Sequence, residues 1–492
     1  MSLISVSNLT FAYDGSYDNI FTDVSFQIDT DWKLGFCGRN GRGKTTFLKL
    51  LMGQLEYAGA ISASVRFDYF PYTVENKSQN TLDVLESAAP DAPLWQIQKE
   101  LSKLSVGEDA LYRPFETLSS GEQTKALLAG LFLRGHHFLL IDEPTNHLDM
   151  ASREIAAKYL SSKSGFILVS HDRAFLDACV DHVLSINKAN IEVTSGNFST
   201  WWEQKRRQDE FEQAQNEKLT REIGRLHESA ARTAQWSDRV EKSKNQPLKS
   251  GLSADKGYIG HKAAKLMKRS KSTEKRRQGA AEEKSGLLKN IEQAESLKIT
   301  PLLYHSSRLL SLDKVSLFYG DKQICQNVSF TLNQGGRVAL SGGNGSGKSS
   351  ILKLILGENI SHTGDVNIHS RLQISYVPQD ASFLSGNLRE YCEREQIDET
   401  LFKAILRKLD FSREQFGKDM RDYSAGQKKK AAIARSLCQS AHLYIWDEPL
   451  NYIDVYSRIQ LEELIAAYCP TLLFVEHDRA FCENIATEVV RL

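Results

Sequence analysis

The residues best suited to chemistry come in two matching sets. Gly38-Arg-Asn-Gly-Arg-Gly-Lys44-Thr45 and Gly342-Gly-Asn-Gly-Ser-Gly-Lys348-Ser349 both fit G-x-x-x-x-G-K-[ST]. That spacing makes a phosphate cradle. Glycines let backbone amides close on phosphate oxygens, and the N-terminus of a following helix adds partial positive charge. The lysine reaches the outer phosphates and the next hydroxyl, Thr45 or Ser349, holds Mg²⁺. Gly38, Asn40, Gly41, Gly43, Lys44, Thr45 and Thr46 form the first cradle, and Gly342, Asn344, Gly345, Gly347, Lys348, Ser349 and Ser350 the second. Each half also carries an Asp-Glu-Pro run. Asp142 and Asp447 would orient Mg²⁺ through its coordination shell, while Glu143 and Glu448 fall one residue further, placed to polarise an attacking water.

These elements recur in order. Ser119-Ser-Gly-Glu-Gln pairs with Ser424-Ala-Gly-Gln-Lys, and Ser170-His171-Asp with Glu476-His477-Asp. Lys44 to Glu143 is 99 positions and Lys348 to Glu448 is 100; Glu143 to His171 is 28 and Glu448 to His477 is 29. One loop match in a chain of 492 residues arises by chance on the order of once in a hundred. Two, in register with three further motifs, mark a tandem duplication. Leu34–Cys37 and Val338–Ser341 read as short buried strands before the loops, and Thr46–Met52 and Ser350–Leu356 as apolar-faced helices after them. Apolar strands Phe138–Ile141 and Leu443–Trp446 deliver the carboxylates to the C-terminal edge of the sheet, where open α/β sheets bind ligands.

The chain of 492 residues is long enough for several domains. Its 41% hydrophobic and 25% charged residues are ordinary for a globular protein, and no apolar run approaches the roughly 20 residues that cross a bilayer. Met1-Ser-Leu-Ile-Ser-Val lacks a basic region followed by an apolar one, so the expected location is cytoplasmic. Seven scattered cysteines without a CxxC pair argue for core packing over a disulfide framework or a zinc site. Net charge is zero, yet Trp201 to Thr300 holds 23 lysines and arginines against 15 acidic residues, about +8.

The motifs together resemble the ATP-binding-cassette ATPases over nearly all of both halves. The resemblance implies an α/β chain of two ABC-type ATPase domains with the P-loop NTPase fold, residues 1–200 and 301–492. Its cofactors would be ATP and Mg²⁺. In that family the signature opens a helix and offers a Ser hydroxyl and Gly amides to the γ-phosphate held by the opposite cassette. Site one would then join Lys44, Glu143 and His171 to Ser424 and Gly426, and site two Lys348, Glu448 and His477 to Ser119 and Gly121. His171 and His477 would hydrogen-bond the γ-phosphate, Asp149 and Asp454 would bridge the cassettes, and Tyr13 and Tyr319 resemble the aromatic that stacks on adenine. With both cassettes in one chain, no obligate oligomer is expected.

The two sets are not identical. Where a Gln after Pro would contact Mg²⁺, the second half has Pro378-Gln379 but the first has Pro71-Tyr72. Tyr423 stands in place of Leu118, and Pro449-Leu-Asn-Tyr-Ile-Asp454 in place of Pro144-Thr-Asn-His-Leu-Asp149. Both sites are expected to hydrolyse ATP, at unequal rates.

Between the halves, Leu219, Ile223, Leu226, Ala230 and Ala234 mark an amphipathic helix from Trp201 to about Ser243. A second stripe runs from Lys262 to Lys298, with Pro247, Gly251, Gly257 and Gly260 breaking the chain between them. Residues 201–300 therefore read as an antiparallel helical hairpin with its tip at 245–260, each arm of about 40 residues reaching roughly 60 Å. Its basic run, Lys262, Lys265, Lys268, Arg269, Lys271, Lys275, Arg276 and Arg277, has the charge of an RNA-backbone contact.

Duplicated cassettes joined by such a linker resemble the ABC-F proteins, which bind the ribosome at its tRNA exit site. The stretch Lys256-Gly-Tyr-Ile-Gly-His-Lys-Ala-Ala-Lys-Leu-Met-Lys-Arg-Ser-Lys271 is similar to the linker of Lsa/Vga-type antibiotic-resistance members. That type protects ribosomes from lincosamides, pleuromutilins and streptogramin A drugs by displacing them from the peptidyl-transferase centre. The implied partner is the bacterial ribosome, through 23S rRNA and P-site tRNA. Two other readings share the cassette motifs: a general translation factor acting on ribosome-bound tRNA, and the ATPase subunit of a membrane transporter.

Overall fold

Each phosphate loop leaves the middle of a mainly parallel sheet. The computed structural model describes residues 2–14, 19–135, 137–146, 148–187, 190–243 and 297–492, with Lys265, Lys268 and Ser272. In the first half the sheet runs Arg66–Phe70, His137–Asp142, Phe166–Val169, Lys33–Cys37, His182–Asn187, Asn190–Ser195, parallel except for its last pair. In the second half it runs Ile374–Val377, Leu443–Asp447, Leu472–Val475, Arg337–Ser341, Glu488–Arg491, parallel throughout. The loop strand and the Asp-Glu strand are separated by one strand in both. An antiparallel three-stranded sheet accompanies each half, built on Leu3–Phe11 and on Arg308–Tyr319.

The central strands read as continuous apolar runs because both their faces are covered. Phe166–Val169 and Leu472–Val475 are buried at every residue. Phe47 on the helix Lys44–Leu51 packs its ring against Phe21, Phe26 and Phe36. A fully buried side chain of that size contributes about 3 kcal/mol, so the helix behind the first cradle is held by its apolar face. Gly43 caps this helix at φ 92°, and a Cβ there would come within 2.5 Å of Ile20. Gly347 does the same for Lys348–Ile355, with Ile324 at 2.8 Å.

The chain divides into two compact units: Met1–Trp201 with Ala294–Leu492, and Trp202–Gln293. A helix of 46 residues spans Phe198–Ser243, about 69 Å at 1.5 Å per residue. Lys265 and Lys268 are helical and exposed. The tip and most of the expected second arm, with Lys262, Arg269, Lys271, Lys275, Arg276 and Arg277, lie outside the described residues. No described helix is long and apolar enough to cross a membrane.

Candidate active sites

Both lysines of the cradles are buried and folded onto their own loops. Lys44 Nζ donates to the carbonyl oxygens of Gly38 at 2.7 Å and Arg39 at 3.1 Å, and Lys348 Nζ to those of Gly342 at 2.9 Å and Gly343 at 2.7 Å. Such contacts hold an ammonium where outer phosphates would exchange for the carbonyls. Thr45 Oγ1 donates to Asp142 Oδ2 at 3.1 Å, and Asp447 has Ser349 as a side-chain partner. Asp447 Oδ1 is buried with no hydrogen-bond partner among the described residues. A hydroxyl converging on a carboxylate, with a buried oxygen left unsatisfied, is a donor set that fits Mg²⁺.

Glu143 and Glu448 sit at φ 50° and 46°, in the left-handed region that ordinary residues avoid. Each is pinned there by its amide, which donates to Val169 O at 2.9 Å or Val475 O at 3.0 Å on the neighbouring strand. Strain repeated at both equivalent positions is the mark of an imposed geometry. It turns the glutamate away from the strand direction that its aspartate follows.

The surroundings of the two glutamates differ. Glu448 Oε2 accepts from Asn451 Nδ2 at 2.6 Å and Gln379 Nε2 at 3.0 Å, while Oε1 stands 3.5 Å from His477 Nε2. Burial works against its ionisation, yet His477 and the two amides together bring its pKa down to about 2. Glu143 Oε1 is buried with no hydrogen-bond partner among the described residues, His171 Nε2 lying 3.4 Å away. Burial, with the neighbouring Asp142 charge adding to it, pushes Glu143 well above the usual carboxylate range. His171 instead bonds Asn40 Oδ1 at 3.1 Å, and burial beside Lys44 lowers its pKa. Tyr72, in place of the missing Gln, is turned beneath Arg134, 5.0 Å from ring centroid to guanidinium carbon.

Site one is composite. A cavity of about 520 Å³ is lined by Lys44, Glu143 and His171 and also by Ser424, Gly426 and Lys430 of the other half. Site two is a cavity of about 480 Å³ with Lys348, Ser349, Glu448 and His477. Its opposite wall comes from Ser120, Asn146 and Arg153; Ser119 and Gly121 do not line it. Ser119 and Ser424 each close a capping box with Glu122 or Gln427, so both hydroxyls are engaged with their own helix ends. Tyr13 and Tyr319 are about half exposed, and their hydroxyls meet Thr46 Oγ1 at 2.9 Å and Ser350 Oγ at 3.4 Å. Asp149 crosses to the backbone amide of Asn344, whereas Asp454 is held within its own half by Lys430 Nζ at 2.7 Å.

Several participants are not marked by the motifs. Tyr69 OH donates to Asp142 Oδ2 at 2.9 Å, and Arg153 Nη1 reaches His477 O across the halves at 3.1 Å. Arg42 in the first loop is 3.7 Å from Asp410 of the second half. Only the repeated Pro-x-Asn that places Asn146 and Asn451 carries a signal in the sequence.

The family model described as ABC transporter matches residues 21–146 and 325–451, one stretch around each site. The chain is 30% identical to the ribosome protection protein VmlR of Bacillus subtilis, over 98% of this chain and 85% of that one. It is 26% identical to the ABC transporter F family member 2 of Arabidopsis thaliana, over 99% and 76%, and 23% identical to the energy-dependent translational throttle protein EttA of Haemophilus influenzae, over 96% and 89%. Among solved structures it is similar in fold to the archaeal ribosome recycling factor aABCE1 in its complex with the stalk protein aP1, with a TM-score of 0.63 at 18% identity, covering 98% and 87% of the chains. Matched twice by one family and aligned end to end with such relatives, the chain is an ATP hydrolase and belongs to the ABC-F family of ATP-binding-cassette proteins.

Proposed function

We propose that this ATPase acts in the cytoplasm on the bacterial ribosome and protects it from lincosamides, pleuromutilins and streptogramin A drugs. ATP closes the two cassettes on Mg²⁺-bound nucleotide, with Lys44, Thr45, Asp142 and Ser424 serving one site and Lys348, Ser349, Asp447 and Gln379 the other. Glu143 and Glu448 polarise the attacking water, and His171 and His477 hydrogen-bond the γ-phosphate. Closure sets the basic linker, residues 201–300, on 23S rRNA and P-site tRNA at the exit site, with its tip toward the peptidyl-transferase centre. Drug leaves by direct or relayed displacement, and hydrolysis releases the protein.

The observation that carries this reading is similarity across nearly the whole chain to a protein named for ribosome protection. The exposed Lys265 and Lys268 of the linker support an RNA contact. A second reading, a general translation factor acting on tRNA, is favoured by the similarity to the translational throttle protein.

Growth separates the two. A susceptible host producing this chain is expected to grow on lincomycin and tiamulin at concentrations that stop the host alone, and not to gain tolerance of a macrolide. The Glu143→Gln, Glu448→Gln double variant should give no protection. No protection by the intact chain, with altered translation in drug-free extracts, would favour the translation factor.

A further inference from the structure

Lys429 stands on the signature helix of the second cassette, just over one turn beyond Ser424, and is 2% exposed. Its Nζ donates to the carbonyl oxygens of Pro378 at 2.8 Å, Gln379 at 3.1 Å and Asp447 at 3.1 Å. An ammonium has three donors, and all three are aimed at two other elements of the cassette. Taking such a charge out of water costs several kcal/mol, offset here only while all three carbonyls stay aimed at the ammonium.

The three carbonyls belong to one side of site two. Gln379 donates its side-chain amide to Glu448 Oε2, and Asp447 precedes Glu448 at the strained turn. The helix that carries Lys429 begins at Ser424, which lines site one. A single side chain thus ties the signature serving site one to the water-polarising end of site two. Among the described residues the equivalent position makes no such tie: Thr124 donates to Ser120 O in its own helix at 2.9 Å.

We propose that Lys429 is a positioning residue that holds Gln379 and Glu448 in the arrangement for hydrolysis at Lys348, a role with no counterpart in site one. The proposal rests on the assignment of Lys348, Asp447 and Glu448 to one hydrolytic site.

The test is ATP turnover by the full chain in two backgrounds. With Glu143→Gln only the Lys348 site turns over, and with Glu448→Gln only the Lys44 site. Lys429→Thr, which copies the first cassette, should lower kcat at least about tenfold in the first background with KM for ATP changed less than about threefold. The fall in the second background should be at least about fivefold smaller; a general loosening of the fold would depress both alike. A smaller difference between the backgrounds, or a rise in KM with kcat retained, overturns the proposal. If Lys429→Thr does not fold, Lys429→Arg is judged by the same criterion, because its larger planar fork keeps the charge but does not match three carbonyls gathered around one ammonium. Turnover surviving in the Glu143→Gln, Glu448→Gln double variant would instead break the site assignment on which the proposal stands.

Discussion

Asn40 of the first phosphate loop donates its side-chain Nδ2 to the carbonyl oxygen of Tyr452 at 2.8 Å, reaching from one cassette into the other. Tyr452 sits at φ 63°, and the same carbonyl would lie 2.6 Å from a Cβ placed on Gly426. The loop of one cassette and the signature of the other therefore meet on a single strained peptide. That contact leaves no space for any side chain at Gly426.

Gly426→Ala should push the Tyr452 carbonyl off Asn40 and spoil site one while leaving the bonds of Lys44 to Gly38 and Arg39 in place. In the Glu448→Gln background, turnover is expected to fall more than about tenfold, with ATP affinity changed by less than about threefold. Steady-state hydrolysis beside a nucleotide-binding titration reads both. Wild-type turnover from the alanine variant would contradict this account of the contact.

The two glutamates predict unequal engines. Glu448 is held by two amides and is a weak base, whereas Glu143, buried with an unsatisfied Oε1, is a stronger one. Glu143→Gln should therefore remove at least about threefold more of the total turnover than Glu448→Gln, since proton transfer follows the basicity of the acceptor. Identical turnover of the two single variants would remove the claim of inequality.

Glu100 gives a stability test away from the nucleotide sites. Its carboxylate accepts from Lys103 Nζ at 2.7 Å, Lys163 Nζ at 2.6 Å and Tyr159 OH at 2.6 Å, joining the helix Leu94–Lys103 to the helix Met150–Ser161. Burial opposes ionisation, but these three donors win and bring its pKa to about 2. A carboxylate depressed in the folded state binds fewer protons than in the unfolded one, so its contribution is complete above about pH 4.5 and fades as pH falls toward 2. Glu100→Gln should cost about 2 kcal/mol at pH 7, allowing for solvent around Lys103. The gap in thermal midpoint from the parent should narrow below about pH 4.5 and close only as pH falls through about 2; a constant gap would assign the loss to packing alone.

Much of this was legible because chemistry fixes residue type at fixed spacing. The strand expected at Leu34–Cys37 begins one residue earlier, at Lys33, and the helix expected at Thr46–Met52 is Lys44–Leu51, since the helix starts on the cradle's own lysine. The Asp-Glu strands end at Asp142 and Asp447. What stayed hidden depends on backbone turns and on the packing of distant segments. Nothing in the sequence marks the positive φ of Glu143, the burial of Lys429, or the reach of Arg153 to His477. Site two shows the limit most clearly: the resemblance points to Ser119 and Gly121, but the cavity wall is made by Ser120, Asn146 and Arg153.

The linker carries the last prediction. If its basic run meets a phosphate backbone, neutralising Lys262, Lys265, Lys268, Arg269 and Lys271 to Gln removes five cationic contacts without touching either cassette. Each phosphate contact on RNA contributes about 0.7 to the slope of log affinity against log salt, so a parent that co-sediments with ribosomes in low salt should lose about 3.5 from that slope on substitution. Binding at moderate salt is then expected to disappear, while the free protein still hydrolyses ATP because both cradles, both glutamates and both histidines are intact. Ribosome co-sedimentation undiminished across the salt series would refute the linker as the RNA contact and move the search to the cassettes.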